Sequence, residues 1–135
     1  MMNGRWTPVD VSMVGDFQPN ETLLYYDGPR TFTVKMTHPM TQVDTLWFVH
    51  QFDQEEEFWD YFVRPCTQTE VDMLKENKIP VRDFIREGPA LYVVRDYGAE
   101  KREMYKIDPD DISEDHYPMA GTYLTRTQGE DEKGF

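Results

Sequence analysis

Few side chains in this sequence have both the type and the setting to do chemistry, and Cys66 comes first among them. It stands in Arg64-Pro65-Cys66-Thr67, between a strand signal and a helix start. A thiol beside a helix N-terminus can have a lowered pKa and act as a nucleophile. Such a nucleophile also needs a base, and no histidine is forced near it. Cysteine is among the most commonly buried residues, so the structural reading of Cys66 outweighs the catalytic one. The histidines, His38, His50 and His116, lie far apart and form no HExxH pair, so no metal site is expected. The run from Asp108 to Asp115 is rich in carboxylates. It lacks the glycine and distal glutamate of an EF-hand loop, and reads as a solvated, capping turn. There is no GxSxG elbow, Gly-rich phosphate loop or CxxC pair. No cofactor is expected, and an enzyme is the less expected class.

Charge and aromatic content then carry the functional reading. The chain has 26 acidic against 14 basic residues among 135, a formal net charge of -12. That balance repels phosphate backbones and anionic membranes, so direct nucleic-acid binding is not expected and a basic partner is favoured. Acidic residues cluster at 53–60, 108–115 and 130–132. Glu55, Glu56 and Glu57 in the first cluster and Asp110 and Asp111 in the second are candidate contact residues. The ordinary alternative is that they keep the chain dispersed in water. Aromatic residues make up 14% of the chain, too many for disorder. Trp47, Trp59 and Tyr61 lie on two neighbouring strand signals and would mark an interface if their sheet face is uncovered. The alternative is a two-sided core closed by the N-terminal arm.

The elements that position these residues read mostly as strands. Phe32, Val34 and Met36 alternate with Thr31, Thr33 and Lys35, the pattern of a strand with one buried and one wet face. Leu23 to Tyr26 is apolar throughout. Between the two runs, Asp27-Gly28 suggests a tight turn, but Pro29 has no N–H and calls for a wider loop. Asp27 and Arg30 form its tip, either as a functional pair or, on the favoured reading, with Asp27 capping the turn and Arg30 solvated. Leu46 to Val49 and Phe58 to Val63 add two strands around a wet loop. Thr67-Gln68-Thr69-Glu70 is a capping box, and a second short helix follows Pro80. Ala90 to Arg95 and Glu103 to Ile107 are the last strands.

The order of these elements resembles a small, uncharacterised bacterial family of α+β domains. The likeness rests on Leu24-Tyr25-Tyr26-Asp27-Gly28-Pro29, on Tyr61 to Thr67, on Ile79-Pro80-Val81-Arg82-Asp83-Phe84, and on Ile112 to Gly121. It departs from the usual pattern at Asn77-Lys78-Ile79-Pro80. The resemblance implies the fold and no catalytic residues. The expected architecture is a single α+β domain: a twisted, mainly antiparallel sheet of about six strands, with a short helix pair after the fourth. Residues 1–20 form an arm, 21–124 the domain, and 125–135 an acidic frayed tail. One cysteine cannot make an internal disulfide, and no run reaches membrane-spanning length. Together with the absence of a signal-peptide pattern, this makes a cytoplasmic location the default. The expected function is a non-enzymatic interaction or regulatory module with a protein partner or a second copy of itself. The alternatives are an acidic, DNA-mimicking inhibitor of a nucleic-acid-binding protein, and a small enzyme using Cys66.

Overall fold

Apart from the first strand, which pairs with the last, the apolar runs resolve into a meander in which each strand pairs with the next. The computed structural model describes residues 6–14, 17–25, 29–37, 40–54, 56–88, 90–98 and 101–124. Within them the strands are β1 (Thr7–Val9), β2 (Glu21–Tyr25), β3 (Pro29–Thr37), β4 (Asp44–Gln54), β5 (Trp59–Cys66), β6 (Leu91–Asp96) and β7 (Arg102–Ile107). Helices α1 (Gln68–Lys75) and α2 (Val81–Arg86) lie between β5 and β6. The sheet is antiparallel with order β1-β7-β6-β5-β4-β3-β2.

Two expectations are corrected here. The described sheet has seven strands rather than about six, and the helix pair follows the fifth strand rather than the fourth. Both differences come from the N-terminal arm, which pairs with the last strand through Thr7–Lys106, Pro8–Tyr105 and Val9–Met104. An edge strand tolerates Pro8, since one of its sides needs no ladder hydrogen bond.

Each face of the sheet is covered by a different part of the chain. Phe48, Phe62, Val93 and Tyr105 point toward Leu74, Phe84 and Ile85 of the helices and toward Tyr117 and Leu124. Phe32, Val34, Trp47, Val49 and Tyr61 point the other way, against Val14 and Phe17. The 3-10 turn Val11–Val14 therefore closes the second face. Thr31 and Thr33, expected in water, are buried. Their hydroxyls are satisfied: Thr31 Oγ1 lies 2.8 Å from His50 Nδ1, and Thr33 Oγ1 accepts from Asn20 at 3.3 Å. Lys35, further along β3, is exposed and lies 3.5 Å from Asp44.

The strands around residues 25–29 pair Tyr25 with Pro29, leaving three residues between them, more than a two-residue turn. The register slips between Thr22 and Leu24, a bulge that packs both Leu23 and Leu24 against the helix-side core. Two adjacent leucines can then serve one face, where a regular strand would split them.

The capping box forms as its sequence predicts. Thr67 Oγ1 accepts from Glu70 N at 3.1 Å, and Glu70 Oε1 accepts from Thr67 N at 2.9 Å. At the other end Asn77 takes a φ of 60°, and the Lys78 and Asn77 amides donate to Met73 and Leu74 carbonyls. Arg64 joins both helices to β5. Its guanidinium donates to the Phe84 carbonyl at 2.8 Å and to Glu70 at 3.0 Å, and lies 4.3 Å over the Phe84 ring.

Beyond β7 the chain returns across the helix side through 3-10 turns at Pro109–Asp111 and Glu114–His116. Asp108 and Ser113 cap them. Arg86 reaches Asp110 at 2.6 Å and Glu114 at 3.3 Å, and Arg82 also bonds Glu114. The Tyr117 hydroxyl donates to the Pro109 carbonyl, and its ring stacks on Phe62 at 4.8 Å. The acidic turn is thus fastened to α2. No helix among the described residues is long and apolar enough to cross a membrane.

Candidate functional site

A second bulge shapes a concavity among the described residues. On β4, strict alternation would send Phe52 and Asp53 to opposite faces. The pairing shifts between Gln51–Tyr61 and Asp53–Asp60, which leaves Phe52 as the extra residue. Phe52 stacks on Phe62 at 4.1 Å, while Asp53 joins the face that carries Asp60.

Asp60 sits directly across from Arg95 on β6 and is only 3% exposed. The two side chains form a fork, Arg95 Nε to Oδ1 at 2.8 Å and Nη2 to Oδ2 at 2.9 Å. A buried carboxylate requires such pairing, and a guanidinium supplies it in two parallel bonds. Hydrogen bonding to Asp60 raises Arg95 further above its already high value, so the guanidinium stays charged. It also lies 4.0 Å over the Phe58 ring. Glu103 on β7 stands opposite Arg95 and accepts from the Tyr105 hydroxyl at 2.7 Å and the Tyr97 hydroxyl at 2.9 Å. These bonds hold its carboxyl below the usual range. Burial, reinforced by Glu103, pushes the Tyr105 hydroxyl up to about 12.

The returning C-terminal turns supply the far wall. His116 meets the Phe52 ring at 5.4 Å, and Asp111, Ile112 and Ser113 lie beside it. Trp6 closes the end, 5.9 Å from the Tyr105 ring. Together these groups enclose a cleft of about 420 Å3. Among the described residues its lining holds the carboxylates of Asp53, Asp60 and Asp111 and the guanidinium of Arg95. Trp6 lines the cleft as well, and its indole Nε1 is buried with no acceptor among the described residues.

A smaller hollow of about 160 Å3 adjoins it, lined by Glu56, Glu57, Phe58, Trp59, Asp96 and Tyr97. Phe58 belongs to both concavities. Trp59 is 45% exposed and pairs across the sheet with Asp96. Both lie at the end of the sheet where β4 turns into β5 and β6 into β7.

The expected site residues scatter into several environments. Trp59, Glu56 and Glu57 come together in the smaller hollow, and Asp111 lines the cleft beside it. Trp47 and Tyr61 are 5% and 6% exposed and belong to the core that Val14 and Phe17 close, so they offer no open sheet face. Asp110 is tied to Arg86. Arg30 bonds the Gln51 side chain rather than standing in water alone. Asp27, Glu55, His38 and the tail 125–135 lie outside the described residues.

The reactive candidates are quiet. Cys66 packs against the helix-side core, and burial pushes its thiol up to about 12, outweighing the pull of Arg64. Burial pushes His50 down to about 4. Among the described residues no three His, Cys, Asp or Glu side chains gather as a metal-holding group.

Asp60, Arg95, Asp53 and Phe58 were not singled out from the sequence as site residues. A signal for the first two was present: Asp60 interrupts the aromatic run 58–63, and Arg95 ends an apolar run. A charge within a buried strand implies a partner on a neighbouring strand. Chemically the described lining combines carboxylates with aromatic rings. Acid–base work by Asp60 is disfavoured, because both its oxygens are engaged by Arg95. No protein-family model, no curated protein and no solved structure matches the chain.

Proposed function

We propose that this chain is a non-enzymatic interaction module that binds a basic segment of a protein partner at the acidic, aromatic end of its sheet. The observation that carries the reading is the exposed Trp59 ring, set beside Glu56, Glu57 and Asp96, in a hollow that shares Phe58 with the cleft. An aromatic surface rimmed by carboxylates suits Lys and Arg side chains, which bring both apolar stems and positive heads. Self-association through this end is opposed by like charge. Imitation of a phosphate row is the weaker version, because Asp110 and Glu114 are committed to Arg82 and Arg86. The high thiol pKa of Cys66 argues against an enzyme built on it. The resemblance to a bacterial α+β family and the cytoplasmic location belong to the same proposal.

The test is binding of a labelled peptide of alternating arginine and serine, measured by fluorescence anisotropy. The combined Glu56→Gln, Glu57→Gln, Trp59→Ala variant should weaken it by about tenfold or more, with thermal unfolding unchanged. Equal binding by the wild type and this variant would sink the reading. Added salt should weaken the wild-type complex, leaving the Trp59 contribution as the part that persists.

A further inference from the structure

We propose that residues 108–118 form a strap that opens and closes over the rings of Phe52 and Phe62, latched by Arg82 and Arg86 of α2. This does not depend on the interaction reading above. The strap is braced within itself. The Asp111 amide donates to the Asp108 carbonyl at 2.8 Å, and the His116 and Tyr117 amides donate to the Ser113 and Glu114 carbonyls at 3.0 and 3.2 Å. The Tyr117 hydroxyl then ties the second turn to the first through the Pro109 carbonyl at 2.6 Å. Both ends are fixed: Ile107 closes β7, and the Thr122 carbonyl accepts from the Val81 amide at 2.9 Å. A segment braced inside and anchored at its ends opens as one cooperative unit.

Between those ends its hold on the molecule is narrow. Tyr117 is the one buried residue from 108 to 118, with Ile112 partly buried against the same core. Residues 60–64 of β5, by contrast, are buried in succession between two paired strands. Segments with few buried apolar groups open at lower free energy than core strands. The remaining hold is electrostatic and converges on Arg86. Its guanidinium reaches Asp110 at 2.6 Å, Glu114 at 3.3 Å and the Pro109 carbonyl at 3.3 Å, and lies 4.9 Å from the Tyr117 ring centre. Arg82 adds a bond to Glu114 and approaches the same ring at 5.6 Å. The arginines thus grip both turns and the buried ring together. The Asp110 and Glu114 side chains are 83% and 65% exposed, so salt screens these pairs. Asp111, Ile112, Ser113 and His116 of the strap wall the cleft, so opening widens it and bares the Phe52 and Phe62 rings.

The experiment measures amide hydrogen exchange of the full chain by NMR, as protection factors at about 0.05 M and about 0.5 M sodium chloride. The Asp111, His116 and Tyr117 amides should share one protection factor, about tenfold or more below those of Phe62 and Val63 in β5. The higher salt should lower the strap value severalfold and leave β5 unchanged. Arg86→Gln at low salt should bring the strap to its high-salt value, and added salt should then change it little. Glu114→Gln repeats the test from an exposed strap side chain without touching α2. Lys75→Gln breaks an exposed pair with Glu21 elsewhere and should leave the strap as it is.

Strap protection equal to that of β5 in the wild type and in both variants would mean that the strap opens only with the whole fold, and would overturn the proposal. Unequal protection of Asp111, His116 and Tyr117 would mean that the turns fray separately, and would overturn the single moving body. Protection insensitive to salt, or unchanged in both Arg86→Gln and Glu114→Gln, would overturn the latch.

Discussion

His50 illustrates how one half-buried side chain ties stability to pH. It pairs with Thr31 across β3 and β4 and faces the helix side, with its ring parallel to Phe48. Burial pushes its pKa from the ordinary 6.5 to about 4. The unfolded chain therefore binds a proton between those values that the folded chain refuses. The stability owed to neutral His50 is complete above pH 6.5 and is lost as pH falls toward 4, a swing of about 3 kcal/mol. Carboxylates with lowered pKa, such as Glu103, lose their own contribution at the acid end of the same range, so the comparison needs a variant. Urea unfolding of the wild type and His50→Gln should show a stability gap that narrows from pH 7 to pH 4. A constant gap would mean that His50 is not the group responsible. At this scale the sequence could name His50 but not its environment, because burial is set by residues distant in the chain.

Between β5 and the helices, Arg64 acts as a clamp whose geometry depends on Gly88. A Cβ placed on Gly88 would stand 2.6 Å from Arg64 Nε and 2.9 Å from its Cδ and Cζ. Arg64 has little room to move, since it is bonded to the Pro65 and Phe84 carbonyls and to Glu70. Gly88→Ala should cost about 2 kcal/mol through overpacking. Gly98→Ala makes a useful contrast, because open space surrounds that position and only its φ of 81° is unfavourable. Its cost should be about 1 kcal/mol. Chemical denaturation compares them, and a neutral Gly88→Ala would show that the clamp yields freely. The helix pair itself was legible: the capping box, Pro80 and the Val81, Phe84 and Ile85 stripe all form as their spacing predicts. The clamp was not, because Arg64 and Gly88 are 24 positions apart and neither has a local pattern.

For the molecule as a whole, the N-terminal segment decides which surfaces exist. Phe17 is buried with a φ of 56°, an uncommon conformation for a bulky residue, and meets Phe32 at 5.7 Å and Tyr61 at 5.2 Å. With Val14 it turns the Trp47 and Tyr61 face into core. Phe17→Ala should destabilise the fold by about 3 kcal/mol and raise binding of a hydrophobic dye. Unchanged stability would mean that the second face needs no such cover.

By itself the sequence determined the strand and helix signals, the capping chemistry and the acidic balance. These follow from local periodicity, side-chain type and composition, which neighbouring residues settle among themselves. The tertiary structure alone decided that β1 crosses to β7, that both sheet faces are covered, and that Asp53, Asp60, Arg95 and Asp111 enclose one cleft. The physical reason is register. One extra residue at Phe52 turns Asp53 toward Asp60, and long-range pairing places Arg95 opposite it. Bulges and strand partners are chosen by packing across the whole sheet, so no local pattern announces them.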